Sequence, residues 1–294
     1  MVILFNQSVF AMQSSNYIIN WDSINAGGND NSQSANYKVR DTLGQLGPGK
    51  SDSASYTLHA GYRVPFDEPQ ILSFSVNAQN DNTEVAYSAF SSASFTATVA
   101  DASGYAAGDY IAVVENVGPN QMVASGRIID VSGTVLTVDK WSGDQGSMNG
   151  SPSGGDDFVY KLNTRYISLD KLTSAAVSTG VAMAEVTTNA VNGYTVYIKE
   201  NYNLRLNGGP RDIDDVLDSA VTAGSEEYGI ETTGDHAQGA NDFAITGVEQ
   251  AVSSHTGQAA LERVNIIYKA SISATQTAGG EYSHTTSYYA IANF

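Results

Sequence analysis

Residues 183–200, MAEVTTNAVNGYTVYIKE, set the reading of the whole chain. Asn192-Gly193 is a two-residue turn signal, because both residues tolerate positive φ, and it lies between two runs rich in β-branched and aromatic residues. The pattern predicts a β-hairpin. After the turn, Tyr194, Val196 and Ile198 alternate with Thr195, Tyr197 and Lys199, so one face enters a core while the other meets water or a partner. A two-stranded hairpin is marginal alone, so the flanking chain must supply further strands.

Outward from this stretch, the composition allows real cores: 294 residues with 41% hydrophobic content is enough for one large domain or a few modest ones. The formal charge of −17 repels nucleic-acid phosphates and anionic lipid, so neither is expected as a partner. With no cysteine, disulfides, thiolate metal sites and cysteine nucleophiles are all excluded. No run approaches the ~18 apolar residues of a membrane span. Residues 1–11, MVILFNQSVFA, end in Val9-Phe10-Ala11 and read as the tail of a secretory signal or as an N-terminal strand.

The first sixty residues carry a repeat. Tyr17, Tyr37 and Tyr56 recur roughly every 20 residues, each after small polar residues and before an aliphatic one, and Gly- and Asn-rich turns separate the units. This predicts short strands over residues 12–65 with tyrosines on one face. Val64-Pro65 and Pro69 then break the pattern as a linker. Residues 71–76 alternate and open a new domain, followed by a polar loop at residues 77–82. Five strand-like runs follow at residues 95–99, 110–114, 127–131, 134–138 and 158–162, a spacing that suits a small closed barrel or sandwich. Residues 142–157, SGDQGSMNGSPSGGDD, read as a long mobile loop. The expected fold is all-β: a strand-repeat arm (12–65), a β-sandwich (66–84 and 166–294) and a small β-barrel inserted at 85–165. Residues 211–218 are the one candidate helical turn, with a solvated loop as the alternative.

The arm resembles a known group. The patterns at residues 16–28 (NYIINWDSINAGG), 34–46 (SANYKVRDTLGQL) and 49–63 (GKSDSASYTLHAGYR) are similar to the N-terminal segment of surface proteins of candidate-phyla-radiation (Patescibacteria) bacteria. TTNAVNGYTVYI and the closing residues 267–294 carry the same likeness. It implies an extracellular, cell-surface location and a β-rich fold. The ending also resembles, more distantly, wall-binding β-sandwich domains of Gram-positive surface proteins, without their paired Trp-x-Leu motifs.

Signals for catalysis are sparse. His59, His236, His255 and His284 have no short mutual spacing and no H-E-x-x-H occurs, so zinc is not expected. Gly150-Ser151-Pro152-Ser153-Gly154 mimics a nucleophile elbow but puts proline at the nucleophile position. Glu226 and Glu227, adjacent in a strand, point to opposite faces and cannot share one glycosidic bond. No cofactor is expected; calcium is the one ion that the polar run at 77–82 and the carboxylates at 211–218 would suit. The expected function is structural and not enzymatic: a self-assembling subunit of a surface filament, pilus-like fibre or layer, its partner being another copy of itself. An arm that adds a strand to a neighbour's open sheet edge makes a fibre. Val2, Ile3, Leu4, Phe5, Tyr17, Ile19, Tyr37 and Tyr56 are the arm's candidate assembly residues, and Thr195, Tyr197 and Lys199 those of the sandwich. The alternative is an adhesin that stacks surface glycans on Trp21, Tyr37 and Tyr56.

Overall fold

The computed structural model describes residues 69–294, apart from 153 and 277–279, and the backbone of four short strands before them: β1 (Ser32–Gln33), β2 (Lys38–Val39), β3 (Gly49–Asp52) and β4 (Thr57–Ala60). β1 pairs with β2 and β3 with β4, both antiparallel. The chain divides into two compact units, Met1–Pro69 and Gln70–Phe294. The second is all-β and antiparallel, and no helix occurs among the described residues.

Its organising element is β5 (Leu72–Ser91), one strand of 20 residues. Next come β6 (Thr96–Val99), β7 (Tyr110–Glu115), β8 (Met122–Ser132), β9 (Val135–Val138), β10 (Ser142–Gly143) and β11 (Phe158–Thr164). The C-terminal part supplies β12 (Ser178–Thr188), β13 (Tyr194–Glu200), β14 (Arg205–Leu206), β15 (Glu227–Gly234), β16 (Gln250–His255), β17 (Ala259–Ser271), β18 (Tyr282–Ser283) and β19 (Thr286–Ala292). β5 serves two bodies. Its first part, residues 72–78, pairs with β12, and its remainder pairs with β11 and then β6. From β6 the ladder runs through β9, β8, β7 and β11 back to β5, so the pairings form a closed circuit. Tyr87, Phe90, Ile111, Val113, Ile128, Leu136, Trp141 and Val159 fill it.

The other half is two packed sheets. The first runs β5-β12-β17-β15 and the second β16-β13-β19. Between them lie Ala182, Ala184, Val196, Ile198, Ile230, Val252 and Ile266, all buried. The opposite face of β12 and β17 is also covered: Val181, Met183 and Ile267 pack on Ala112, Val114, Tyr160 and Leu162 of β7 and β11. Strands buried on both faces cannot alternate in hydropathy, which is why residues 110–114 of β7 read as an unbroken apolar run that ends at Glu115.

Four local expectations are corrected. β12 and β13 are not a hairpin: they belong to different sheets, and the segment joining them is a β-arch. Over residues 182–188 both edges of β12 are already taken, by β5 and β17, so β13 has nowhere to pair beside it. The polar run 77–82 is no loop but lies inside β5. Asn77 pairs with Met183 of β12, and Gln79 and Asn80 with Leu162 and Lys161 of β11; only Asp81 and Asn82 enter the bulge where the β11 register jumps to Val85↔Val159. Residues 142–150 are anchored, and so are Asp156 and Asp157, whose carbonyl and carboxylate accept from the Val117 and Asn116 amides (both 3.1 Å). The Asp144 carboxylate accepts from the Val123 amide (2.9 Å) and from Thr233 (2.7 Å), Glu115 accepts from the Asn149 amide (2.8 Å), and Met148 packs on the circuit core. Residues 211–218 are extended: the Val216 amide donates to the Tyr228 carbonyl (2.9 Å) and the Tyr228 amide to that of Asp214 (2.8 Å), so this segment covers the outer edge of β15. Ile213 and Val216 are buried while Leu217 is 93% exposed, so the apolar face expected of a helix is split.

Candidate functional site

A sandwich must end somewhere laterally, and the two sides here end differently. On one side, segments 211–216 and 236–243 bond to β15, and residues 236–238 to β16. On the other, residues 72–77 of β5 pair only with β12, and β19 pairs only with β13, among the described residues. Two strand edges are thus left without a second ladder, facing one seam.

That seam opens into a cleft of about 1080 Å³. Val76 and Ala78 of β5 form one lip and Thr286 and Tyr288 of β19 the other, with Ile167, Leu169 and Leu172 of the β11–β12 connection as a wall. Gly180 of β12 is what admits this wall, since a Cβ there would sit 2.4 Å from the Ile167 side chain. At the end of the seam nearest the arch, Ile71, Leu72, Val191, Ile291 and Phe294 are exposed hydrophobics.

The cleft floor is polar and aromatic. The Tyr228 hydroxyl lies 2.8 Å from His284 Nε2, and His284 Nδ1 lies 2.9 Å from Glu200 Oε2. A carboxylate only accepts, so Nδ1 carries the proton that bridges to Glu200, and in the neutral imidazole Nε2 accepts from Tyr228. Beside them Tyr268 bonds to Tyr288 and to Thr286. Burial, then the neighbouring Tyr268, Glu200 and Asp215, push the Tyr228 phenol well above its ordinary value. It therefore stays protonated at neutral pH and serves as a hydrogen-bonding strut, with no activation as a nucleophile. The strut ties β15 and β13 to the β18–β19 connection that borders the cleft.

Asp215 is the strained member of this neighbourhood. Burial, then the charges of Glu200, Asp214 and Asp212, push its carboxyl up to about 6, and its Oδ1 is buried without a hydrogen bond. A raised carboxyl favours the folded state while protonated and loses that contribution as pH rises through the folded value. Asp215→Asn is thus expected to match wild type only below the unfolded carboxyl value of about 3.9, to gain on it as pH rises toward about 6, and to keep a constant advantage above that. Thermal melts across that range check it, and a constant difference at all pH values would refute the assignment.

No protein-family model, curated protein or solved structure matches this chain. Thr195, Tyr197 and Lys199 stand on the outward face of β13, as the alternation requires, while Tyr194, Val196 and Ile198 are buried. Tyr197 stacks on Tyr289 (5.3 Å between centroids) and Lys199 reaches Glu249 (3.3 Å), so this face is internally tied and does not line the cleft. Val2, Ile3, Leu4, Phe5, Tyr17, Ile19, Trp21, Tyr37 and Tyr56 lie outside the residues whose side chains are described. Glu200, Tyr228, Tyr268 and Tyr288 carry no site motif in the sequence, and His284 has no neighbouring histidine there. One signal was available: the alternation of β13 puts Glu200 on the same inward face as Ile198, and a carboxylate at a core position demands a buried partner.

Proposed function

We propose that this chain is an extracellular structural subunit that polymerises by β-strand addition, an N-terminal segment of one copy entering the seam between β5 and β19 of the next. The observation that carries the reading is the pair of unladdered edges flanking a cleft with an apolar wall at Ile167, Leu169 and Leu172. An extended peptide laid there would complete backbone hydrogen bonds to either edge and bury alternate side chains against Val76, Leu169 and Tyr288. Charge favours the arm as occupant. Over residues 12–65, Asp22, Asp30, Asp41 and Asp52 are balanced one for one by Lys38, Arg40, Lys50 and Arg63, in a chain whose formal charge is −17. A neutral arm approaches an acidic body without the repulsion that two bodies feel. Donor and acceptor surfaces differ, so addition is head-to-tail and need not close. The sequence likeness to bacterial surface proteins supports a location outside the cell.

Sedimentation velocity and negative-stain imaging of the full chain test this. Wild type is expected to form fibres as concentration rises. Leu72→Lys with Ile291→Lys, which sets charges at the mouth of the seam, should raise the concentration needed by at least ~10-fold with the fold retained. A wild type that stays monomeric throughout, or a double variant that polymerises like wild type, overturns the proposal.

A further inference from the structure

We propose that His236, His255 and Glu262 form a binding site for a divalent transition-metal ion of the zinc class, on the side of the sandwich away from the cleft. The three come from separate elements. His236 lies in the turn after β15, His255 ends β16, and Glu262 sits on β17, so the ligands join both sheets. Their ligating atoms all lie within 4.8 Å of one another.

Each ligand is held by local structure. The turn bearing His236 is fixed through Asp235, whose carboxylate accepts from the Arg263 amide (2.9 Å) and from Lys140 (2.8 Å). His236 itself adopts φ 55°, and its carbonyl accepts from the Ser254 amide (3.1 Å), which brings it beside His255. Glu262 is aimed by a bulge: the register with β12 shifts between Glu262 and Ala259, and Leu261 takes φ 53°. The buried Tyr194 donates to Glu262 Oε2 (2.8 Å), leaving Oε1 to face the imidazoles. Oε1 is 3.1 Å from His255 Nδ1 and 3.6 Å from His236 Nε2.

The decisive detail is His255 Nδ1. It is buried, close to a carboxylate oxygen, and makes no hydrogen bond. Two donor atoms converging without a hydrogen bond between them is the arrangement that a shared cation resolves. Two imidazoles and one carboxylate suit zinc and the neighbouring late transition metals, whereas calcium and magnesium take oxygen sets. The chain has no cysteine to offer a competing thiolate site. The rings now stack at 3.9 Å and 9°, and an imidazole binds a metal in its own plane. His236, whose side chain is 42% exposed, is the ring free to turn out of the stack and present Nε2. Tyr194 acts as the outer partner that orients the carboxylate. Three protein ligands leave a fourth position open toward solvent, for water or a group from another molecule.

The test is calorimetric titration of zinc chloride into the full, chelator-stripped chain at neutral pH, with calcium chloride in excess to occupy surface carboxylates. One zinc ion per chain is expected, with a higher melting temperature in zinc. His236→Asn, chosen because asparagine tolerates the left-handed backbone, and His255→Asn should each weaken binding by more than ~100-fold, and Tyr194→Phe by ~10-fold. His59→Ala should leave the stoichiometry at one. If His255→Asn fails to fold, His236→Asn carries the test. No saturable zinc binding in wild type, or binding and melting shift unchanged in His236→Asn, overturns the proposal.

Discussion

Replacing Arg263 with alanine is expected to cost about 3–5 kcal/mol of unfolding free energy, because it leaves two carboxylates facing an empty site. The Arg263 side chain is wholly buried in β17. Its Nη1 and Nη2 donate to Asp139 at 2.8 and 2.6 Å, its Nε donates to Glu185 at 2.7 Å, and the guanidinium lies 5.5 Å from the Tyr110 ring centroid. Asp139 and Tyr110 belong to the circuit and Glu185 to the sandwich, so one side chain clasps the two bodies. Lysine cannot reproduce the fork, so Arg263→Lys should fall between wild type and Arg263→Ala. Urea unfolding at neutral pH reads the loss directly. The pH dependence is a second check. Burial alone would raise the Asp139 carboxyl, but hydrogen bonds from Arg263 and from the Arg127 and Lys140 amides, with the Arg263 charge, hold it below the usual carboxylate range. A depressed carboxyl contributes stability above its unfolded value of about 3.9 and loses it as pH falls through the lower folded value. Arg263→Ala should therefore flatten that acid-side slope, the part set by the Arg127 and Lys140 amides remaining, and a slope identical to wild type would contradict the clasp.

Arg263 also marks where sequence reading ran out. β17 alternates Val264, Ile266 and Tyr268 with Arg263, Asn265 and Lys269, which reads as one core face and one solvated face. In the fold the second face is covered by the circuit, and Lys269, 2% exposed, is held by Glu231 (2.7 Å) and Asp242 (2.8 Å). Ile267 between them was the only trace of that cover. Local patterns were legible where a strand answers only to its own faces: the alternation of β13 and the apolar runs that became β6, β7, β8, β9 and β11. Partnership was not, because whether an edge is free depends on strands far away in the chain. The cleft floor and the histidine pair share that difficulty. Tyr228 and His284, or His236 and His255, meet only once both sheets are assembled.

The Asn192-Gly193 pair carries the last large effect, and its two positions should respond very differently. In a two-residue type I′ hairpin both residues need positive φ, so both would be sensitive. Here Gly193 has φ 81° while Asn192 is not among the residues with positive φ. The Gly193 amide closes a turn on the Ala190 carbonyl (3.1 Å), and the chain then leaves β12's sheet. An added Cβ at Gly193 would lie 1.8 Å from the His255 carbonyl oxygen and 2.8 Å from Thr256 Cα, both backbone atoms that move only if β16 moves. Gly193→Ala therefore combines the left-handed penalty of about 1–2 kcal/mol with overpacking of about 1–3 kcal/mol. Asn192 is exposed, and Asn192→Ala should cost less than about 0.5 kcal/mol. Thermal unfolding of the two variants side by side distinguishes the geometries. Severe loss at 193 with little at 192 is the signature of an arch whose glycine turns against β16, whereas comparable losses at both would return the segment to a hairpin.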